Sequence, residues 1–280
     1  MKRTFFFEPE EELNEEEEKS RLLHQRENDP GKDLYRDYFL DNPAQASQDS
    51  SWVDGNYSKC LKNITRDWVY IYQDRKAHEV LVKMNENSDQ DIEILDVGSM
   101  FYAALFFASV GRTVFLEPRL RDMGSERPMF FPQLNFGFLQ GEAQKIPVPD
   151  SSFDVVTCLH AMEHFGLGRY GDTLDYYGDQ KGLNEFNRVL KTRGGLILSV
   201  PASENGRIEF NGQRVYTPEM VDDMLDRAGF KILSKMYIVS LGLHVDDEGA
   251  ILEPITTDRK VLQHVSDDQQ AAYMTVSVKK

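Results

Sequence analysis

From Asp91 to Lys280, short β-rich runs alternate with stretches of helical spacing, a pattern that predicts a parallel sheet covered on both faces. The runs IEILDVG, TVFLEP, FGFLQG, DVVTCL and GGLILSVP read as the first five strands. Between the first two, FYAALFFASVG supplies a crossover helix with Gly111 as its C-cap. Another helix is expected from about Gly178 to Leu190, ending before Arg193-Gly194-Gly195. Thr217-Pro218 then provides an N-cap followed by proline in the first turn, opening a third helix that ends at Gly229. FKILSKMYIVS and YMTVSVKK close the sheet.

Upstream, the pattern weakens. In residues 51–90, Trp68, Val69, Ile71, Tyr72, His78, Val80, Leu81 and Met84 recur at roughly helical intervals, predicting two amphipathic helices. They either cover a sheet edge or cap a cleft. Residues 1–50 keep no period: ENDPGKD and DNPAQASQDSS are dense in turn formers, and Glu8 to Glu18 holds eight glutamates. Such a run repels itself and stays solvated, so this segment reads as a flexible acidic arm rather than a docking element.

Composition narrows the choices. A chain of 280 residues, 40% hydrophobic, accommodates one large α/β domain and an appendage. No apolar run approaches the roughly 20 residues that span a bilayer, and only three phenylalanines follow Lys2-Arg3 before Glu8. Neither a membrane partner nor a signal peptide is expected; a cytoplasmic location is. Asn63-Ile64-Thr65 is then a sequon without use. Two cysteines build no disulfide framework, and Cys158, inside an apolar run, reads as a small buried residue. A formal charge of −15 argues against nucleic acid, which needs a basic face. Phe130, Phe131 and Phe136 read as packing residues, while Tyr170 and Tyr216 either stack on a sugar or pack.

Ligands of open α/β sheets bind beyond the carboxyl ends of the strands. The first strand ends in Asp96-Val97-Gly98-Ser99, where Gly98 allows close backbone approach. Ser99, Met100, Phe101 and Tyr102 stand where a dinucleotide fingerprint carries its later glycines, which disfavours a dehydrogenase. The second strand ends in Glu117, 19 positions beyond Gly98, where an acid can accept from both hydroxyls of a ribose. After the third strand, Glu142 can meet an adenine edge and Ile146-Pro147 its face.

The succession LDVG, EP, GEAQKIPVPDSSFDVV and VLKTRGGLILSVP resembles the core of class I S-adenosylmethionine-dependent methyltransferases over about Asp91 to Pro201. The resemblance implies a Rossmann-like α/β fold: a mostly parallel seven-stranded sheet, an antiparallel last strand, and helices on both faces. It also implies S-adenosylmethionine as cofactor, with Asp96, Gly98 and Ser99 toward its methionine end, Glu117 on the ribose, Glu142 and Ala143 at the adenine, and His160 beside it. Glu142 replaces the usual aspartate, and the first motif keeps one glycine where two or three are common.

Past the fourth strand, EHFGLGRYGD (Glu163 to Asp172), FNGQRVYTP (Phe210 to Pro218) and VDDEG (Val245 to Gly249) are similar to a bacterial methyltransferase-like family of poorly defined function, associated with sugar or polysaccharide modification. Transfer to a hydroxyl is helped by a base, for which His164 is the first choice, with His160 and Glu163 beside it. Arg169, Tyr170, Asp172 and Arg214 are the candidate substrate contacts, although Arg169 and Asp172 equally suit a loop clasp. The expected acceptor is an oxygen or nitrogen of a small molecule or sugar. Two alternatives remain: a catalytically silent scaffold, suggested by the glycine-poor motif, and a zinc hydrolase through His160-Ala161-Met162-Glu163-His164, which matches H-x-x-E-H but leaves a strand directly instead of lying in a helix.

Overall fold

The computed structural model describes residues 64–88, 90–118, 129–170, 172–209, 212–239, 255–264 and 271–280. The acidic arm, the stretch from Trp52 to Asn63 and most of the segment from Leu241 to Gln270 lie outside them.

The sheet is the expected one. Strands β1 (Glu93–Val97), β2 (Arg112–Glu117), β4 (Phe136–Gln140), β5 (Phe153–Leu159) and β6 (Leu190–Ala202) run parallel, and β11 (Ala271–Lys279) pairs antiparallel with both β6 and β9 (Phe230–Ile238). With two short edge strands, β3 (Met129–Phe131) and β10 (Ile255–Thr256), the order is β10-β9-β11-β6-β5-β1-β2-β4-β3. Stripped of those edges, this is the Rossmann-like, mostly parallel seven-stranded sheet that was expected, with its reversal at β1. A separate hairpin, β7 (Arg207–Glu209) with β8 (Gln213–Val215), stands off the main sheet. The four strand pieces of two or three residues, β3, β7, β8 and β10, escaped the pattern because they are too short to show a period of two.

Helices cover both faces. On one, α1 (Ile64–Glu86) and α2 (Phe101–Phe107) bury Val69, Ala77, Leu81, Ala103 and Phe107 against Ile94, Ile197, Ile238 and Met274. On the other, α3 (Gly178–Val189) and α4 (Pro218–Arg227) bury Leu183, Phe186, Val221 and Leu225 against Leu95, Val156, Leu198 and Tyr273. Thr217 caps α4 as expected, its hydroxyl accepting from the Met220 amide at 3.3 Å, and Cys158 is fully buried.

Two details sharpen the reading. Val69 to Met84 fall in one 23-residue helix, α1, and the stretch from Trp52 to Asn63, where another of the two expected helices would fall, lies outside the described residues. The inward stripe of α1 is Val69, Gln73, Ala77 and Leu81, spaced by four, while Ile71 is exposed. Secondly, α2 is capped by Ala108 in a right-handed conformation rather than by Gly111. Gly111 is needed for contact: a Cβ there would lie 2.4 Å from the Ile92 carbonyl oxygen, where the chain turns into β2.

Candidate functional site

At the carboxyl ends of β1, β2, β4 and β5 the chain must leave the sheet, and each exit adds polar groups to one cavity of about 450 Å³. Near the end of β1, Asp96 is fully buried and does not line it. One carboxylate oxygen accepts from the Thr157 hydroxyl (2.6 Å) and the other from the Ser99 amide (3.2 Å), while Ser99 Oγ accepts from the Leu159 amide (3.1 Å). Burial pushes the Asp96 carboxyl up to about 7. These bonds tie β1 to β5 and shape the turn at Gly98, whose φ of +67° favours glycine. A Cβ at Gly98 would meet that of Ala161 at 3.0 Å, so the missing side chain keeps backbone exposed to the cavity.

The opposite wall comprises Glu117 at the end of β2 and Glu142 with Ala143 after β4. Glu117 is 9% exposed, an acid held at the cavity rather than in solvent. Ile146 instead turns into the core, its amide donating to Glu185 at 2.8 Å. Phe101, Phe115 and Leu116 supply apolar surface.

The remaining wall follows β5. His160 (φ +50°), Ala161, His164, Phe165, Tyr170 and Asp172 all face the cavity, joined by Tyr70 from α1. Residues Met162–His164 form a single 3-10 turn, so the H-x-x-E-H spacing is not carried on an α-helix. Among the described residues, no group of three or more His, Cys, Asp or Glu is arranged to hold a metal ion.

Beyond that turn, the two motifs EHFGLGRYGD and FNGQRVYTP pack on each other. The Gly212 carbonyl accepts from His164 Nδ1 and from Arg169 Nη1, both at 2.6 Å. Because a carbonyl only accepts, His164 Nδ1 carries the proton and the neutral ring has its lone pair on Nε2, 3.8 Å from Glu163 Oε1. Burial, reinforced by the Arg169 cation, pushes His164 down to about 3, so it stays neutral through physiological pH. Tyr170 packs edge-on to its ring at 5.3 Å. Asp172 accepts from the Gly166 amide (2.7 Å) and the Tyr170 amide (3.2 Å), which closes the loop; Gly166 has φ +73°.

Glu163, Arg169 and Arg214 stand outside the cavity wall among the described residues. Arg214 is 4% exposed and donates to the carbonyls of Phe165 (2.6 Å) and Tyr176 (2.9 Å), with Asp179 at 3.5 Å. Its neighbours are loop backbone, which makes it a fastener of the loop. Two site residues that sequence reasoning missed come from α1: Tyr70, on the wall, and Gln73, whose Oε1 lies 2.7 Å from His160 Nδ1. The available signal was a polar residue interrupting the four-residue stripe Val69, Ala77 and Leu81.

Comparison with known proteins adds the following. A family described as a Caenorhabditis protein of unknown function, DUF268, matches residues 142–240. The uncharacterized methyltransferase YcgJ of Bacillus subtilis is 39% identical over 64 residues, which are 23% of this chain and 21% of that protein. An uncharacterized protein of Methanocaldococcus jannaschii is 26% identical over 180 residues, 64% of this chain and 69% of its own. Among solved structures, the 1,6-didemethyltoxoflavin-N1-methyltransferase of Burkholderia thailandensis, with bound 1,6-didemethyltoxoflavin and S-adenosylhomocysteine, aligns over 74% of this chain and 78% of its own at 14% identity and a TM-score of 0.49.

Proposed function

We propose that this chain is an S-adenosylmethionine-dependent methyltransferase acting on an oxygen or nitrogen of a small molecule or sugar. The observation that carries this reading is the cavity at the sheet's reversal, where Gly98 bares backbone, Glu117 presents an acid at the end of β2, and two histidines follow β5. The residues fit the cofactor. Gly98 and Ser99 suit its amino-acid end, Glu117 can accept from both ribose hydroxyls, and Glu142 with Ala143 borders the space for the base. Asp96 acts behind them, holding the turn through Thr157 and Ser99. When bound, the cofactor supplies an electrophilic methyl group on a sulfonium.

The acceptor end is the wall formed by His160, His164, Tyr170 and Asp172. His164, kept neutral with its proton on Nδ1, serves as a hydrogen-bond acceptor that orients the substrate's O–H or N–H. A ring held at about 3 is a weak proton sink, so orientation rather than deprotonation is its role. Tyr170 offers a ring face suited to a sugar. The short YcgJ match, to a protein named as a methyltransferase, is consistent with this reading.

Calorimetry with S-adenosylhomocysteine tests it. Binding is expected, with Glu117→Ala weakening it roughly 10- to 100-fold, the worth of charge-assisted hydrogen bonds. No heat at millimolar ligand would overturn the enzyme reading and leave the silent scaffold.

A further inference from the structure

We propose that α1 is part of the catalytic apparatus: Gln73 fixes the tautomer of His160 so that its Nε2 takes the proton lost by the methyl acceptor. This deepens the methyltransferase reading and rests on it for the reaction, but not for the tautomer.

The geometry is specific. His160 leaves β5 with φ +50°, a left-handed conformation that a residue with a Cβ rarely adopts, although its amide still bonds to the Ser199 carbonyl at 2.9 Å. Its ring is buried between the Tyr70 ring, at a centroid distance of 5.0 Å, and the end of the Gln73 side chain. Gln73 Oε1 receives the Ser199 hydroxyl proton at 2.7 Å and lies 2.7 Å from His160 Nδ1. The Ser199 hydroxyl, its one proton already given to Gln73, can only accept from Nδ1 at 3.3 Å. Both oxygens facing Nδ1 are therefore acceptors, so Nδ1 bears the hydrogen and Nε2 the lone pair.

A local cost is met at this point, the left-handed backbone of His160. A purely structural contact between α1 and β5 would be made more cheaply by a leucine. What the amide supplies is direction: it anchors the ring from behind while His160 remains on the cavity wall. With the cofactor bound, the acceptor atom would bond to the methyl carbon as the methyl–sulfur bond broke and left its electron pair on the departing thioether, while the proton of the acceptor's O–H or N–H would pass to Nε2. The acceptor keeps the electron pair of its O–H or N–H bond, and the Gln73 carbonyl dipole stabilises the resulting imidazolium. The proton then leaves to solvent. Gln73 is thus a positioning residue and His160 the catalytic one; His164, two positions past Met162, orients.

The tautomer can be read without any substrate, from ring nitrogen shifts of histidine-labelled protein at neutral pH, with His160→Asn identifying the resonance. Wild type is expected to show Nε2 unprotonated. Gln73→Met should shift the tautomer ratio at least tenfold toward Nε2–H, the worth of one hydrogen bond, with S-adenosylhomocysteine affinity unchanged within about threefold. Gln73→Glu, which keeps an acceptor, should preserve the wild-type tautomer and raise the ring's titration midpoint; it serves if Gln73→Met does not fold. A wild-type lone pair on Nδ1, an unmoved ratio in Gln73→Met, or an unmoved midpoint in Gln73→Glu overturns the proposal. Failure of the cofactor titration alone refutes the methyltransferase reading and leaves the tautomer result standing.

Discussion

Removing the Arg214 guanidinium tests whether the loop after β5 is fastened as described. In Arg214→Leu the carbonyls of Phe165 and Tyr176 lose charge-assisted donors, and Asp179, 5% exposed, loses its cation. Breaking a buried pair from one side costs about 3–5 kcal/mol. Asp179 keeps two other donors, the Tyr216 hydroxyl at 3.0 Å and the Gln180 amide at 2.8 Å, so the loss belongs at the lower end, about 3 kcal/mol. That is a large share of the roughly 5–15 kcal/mol that holds a domain together. Urea unfolding of wild type, Arg214→Leu, Asp179→Asn and the double variant measures it. The cycle should be non-additive by about 1–2 kcal/mol, the double variant losing less than the sum. A single-variant cost below about 1 kcal/mol, or an additive cycle, would refute the assignment of Arg214 as a buried fastener.

Other outcomes follow from the same geometry. Burial, then the neighbouring Asp96, pushes the Asp74 carboxyl up from 3.8 to about 7. Its raised value means that its ionisation opposes folding, a cost absent below pH 4 and complete above pH 7, worth at most about 4 kcal/mol. Asp74→Asn should therefore match wild type at pH 4 and exceed it in urea midpoint at pH 8; equal midpoints at pH 8 would contradict the buried carboxyl. His164 runs the other way. Lowered from 6.5 to about 3, it erodes stability as pH falls through that window, a slope that His164→Asn should flatten in the same titration. Gly98→Ala should cost about 1–3 kcal/mol in stability, and weaken S-adenosylhomocysteine binding about tenfold, because its φ and its 3.0 Å approach to Ala161 both exclude a side chain. Unchanged affinity would remove Gly98 from the binding surface.

The sheet was legible because its central strands are apolar runs, three of which end at a glycine or an acid: Gly98 after β1, Glu117 in β2 and Gly141 after β4. Helix α4 was legible from its Thr217 cap and Gly229 stop, and α3 from the glycine pair that follows it. What the pattern concealed was α1's inner face, since Gln73 and Asp74 are buried polar residues and a hydrophobic period counts them as outward. Arg214 was concealed for the same reason: a charged residue near a glycine-rich motif reads as a ligand contact until its carbonyl partners are seen. Strand-end glycine and acids found one side of the cavity and the EHFGLGRYGD motif much of the other; what stayed hidden is the share of α1, Tyr70 and the Gln73–His160 contact 87 positions apart, which no local spacing encodes.

The Gly212 carbonyl that receives both His164 and Arg169 has a consequence for how this loop can change over evolutionary time. A main-chain oxygen is present whatever residue occupies position 212, so no single substitution there deletes the acceptor. Variation can move it only by altering the path of the hairpin between β7 and β8. The loop that bears the acceptor-facing residues is thereby heritable as a shape rather than as a residue identity. Insertions in that hairpin, more than replacements, are the changes to which the site is vulnerable.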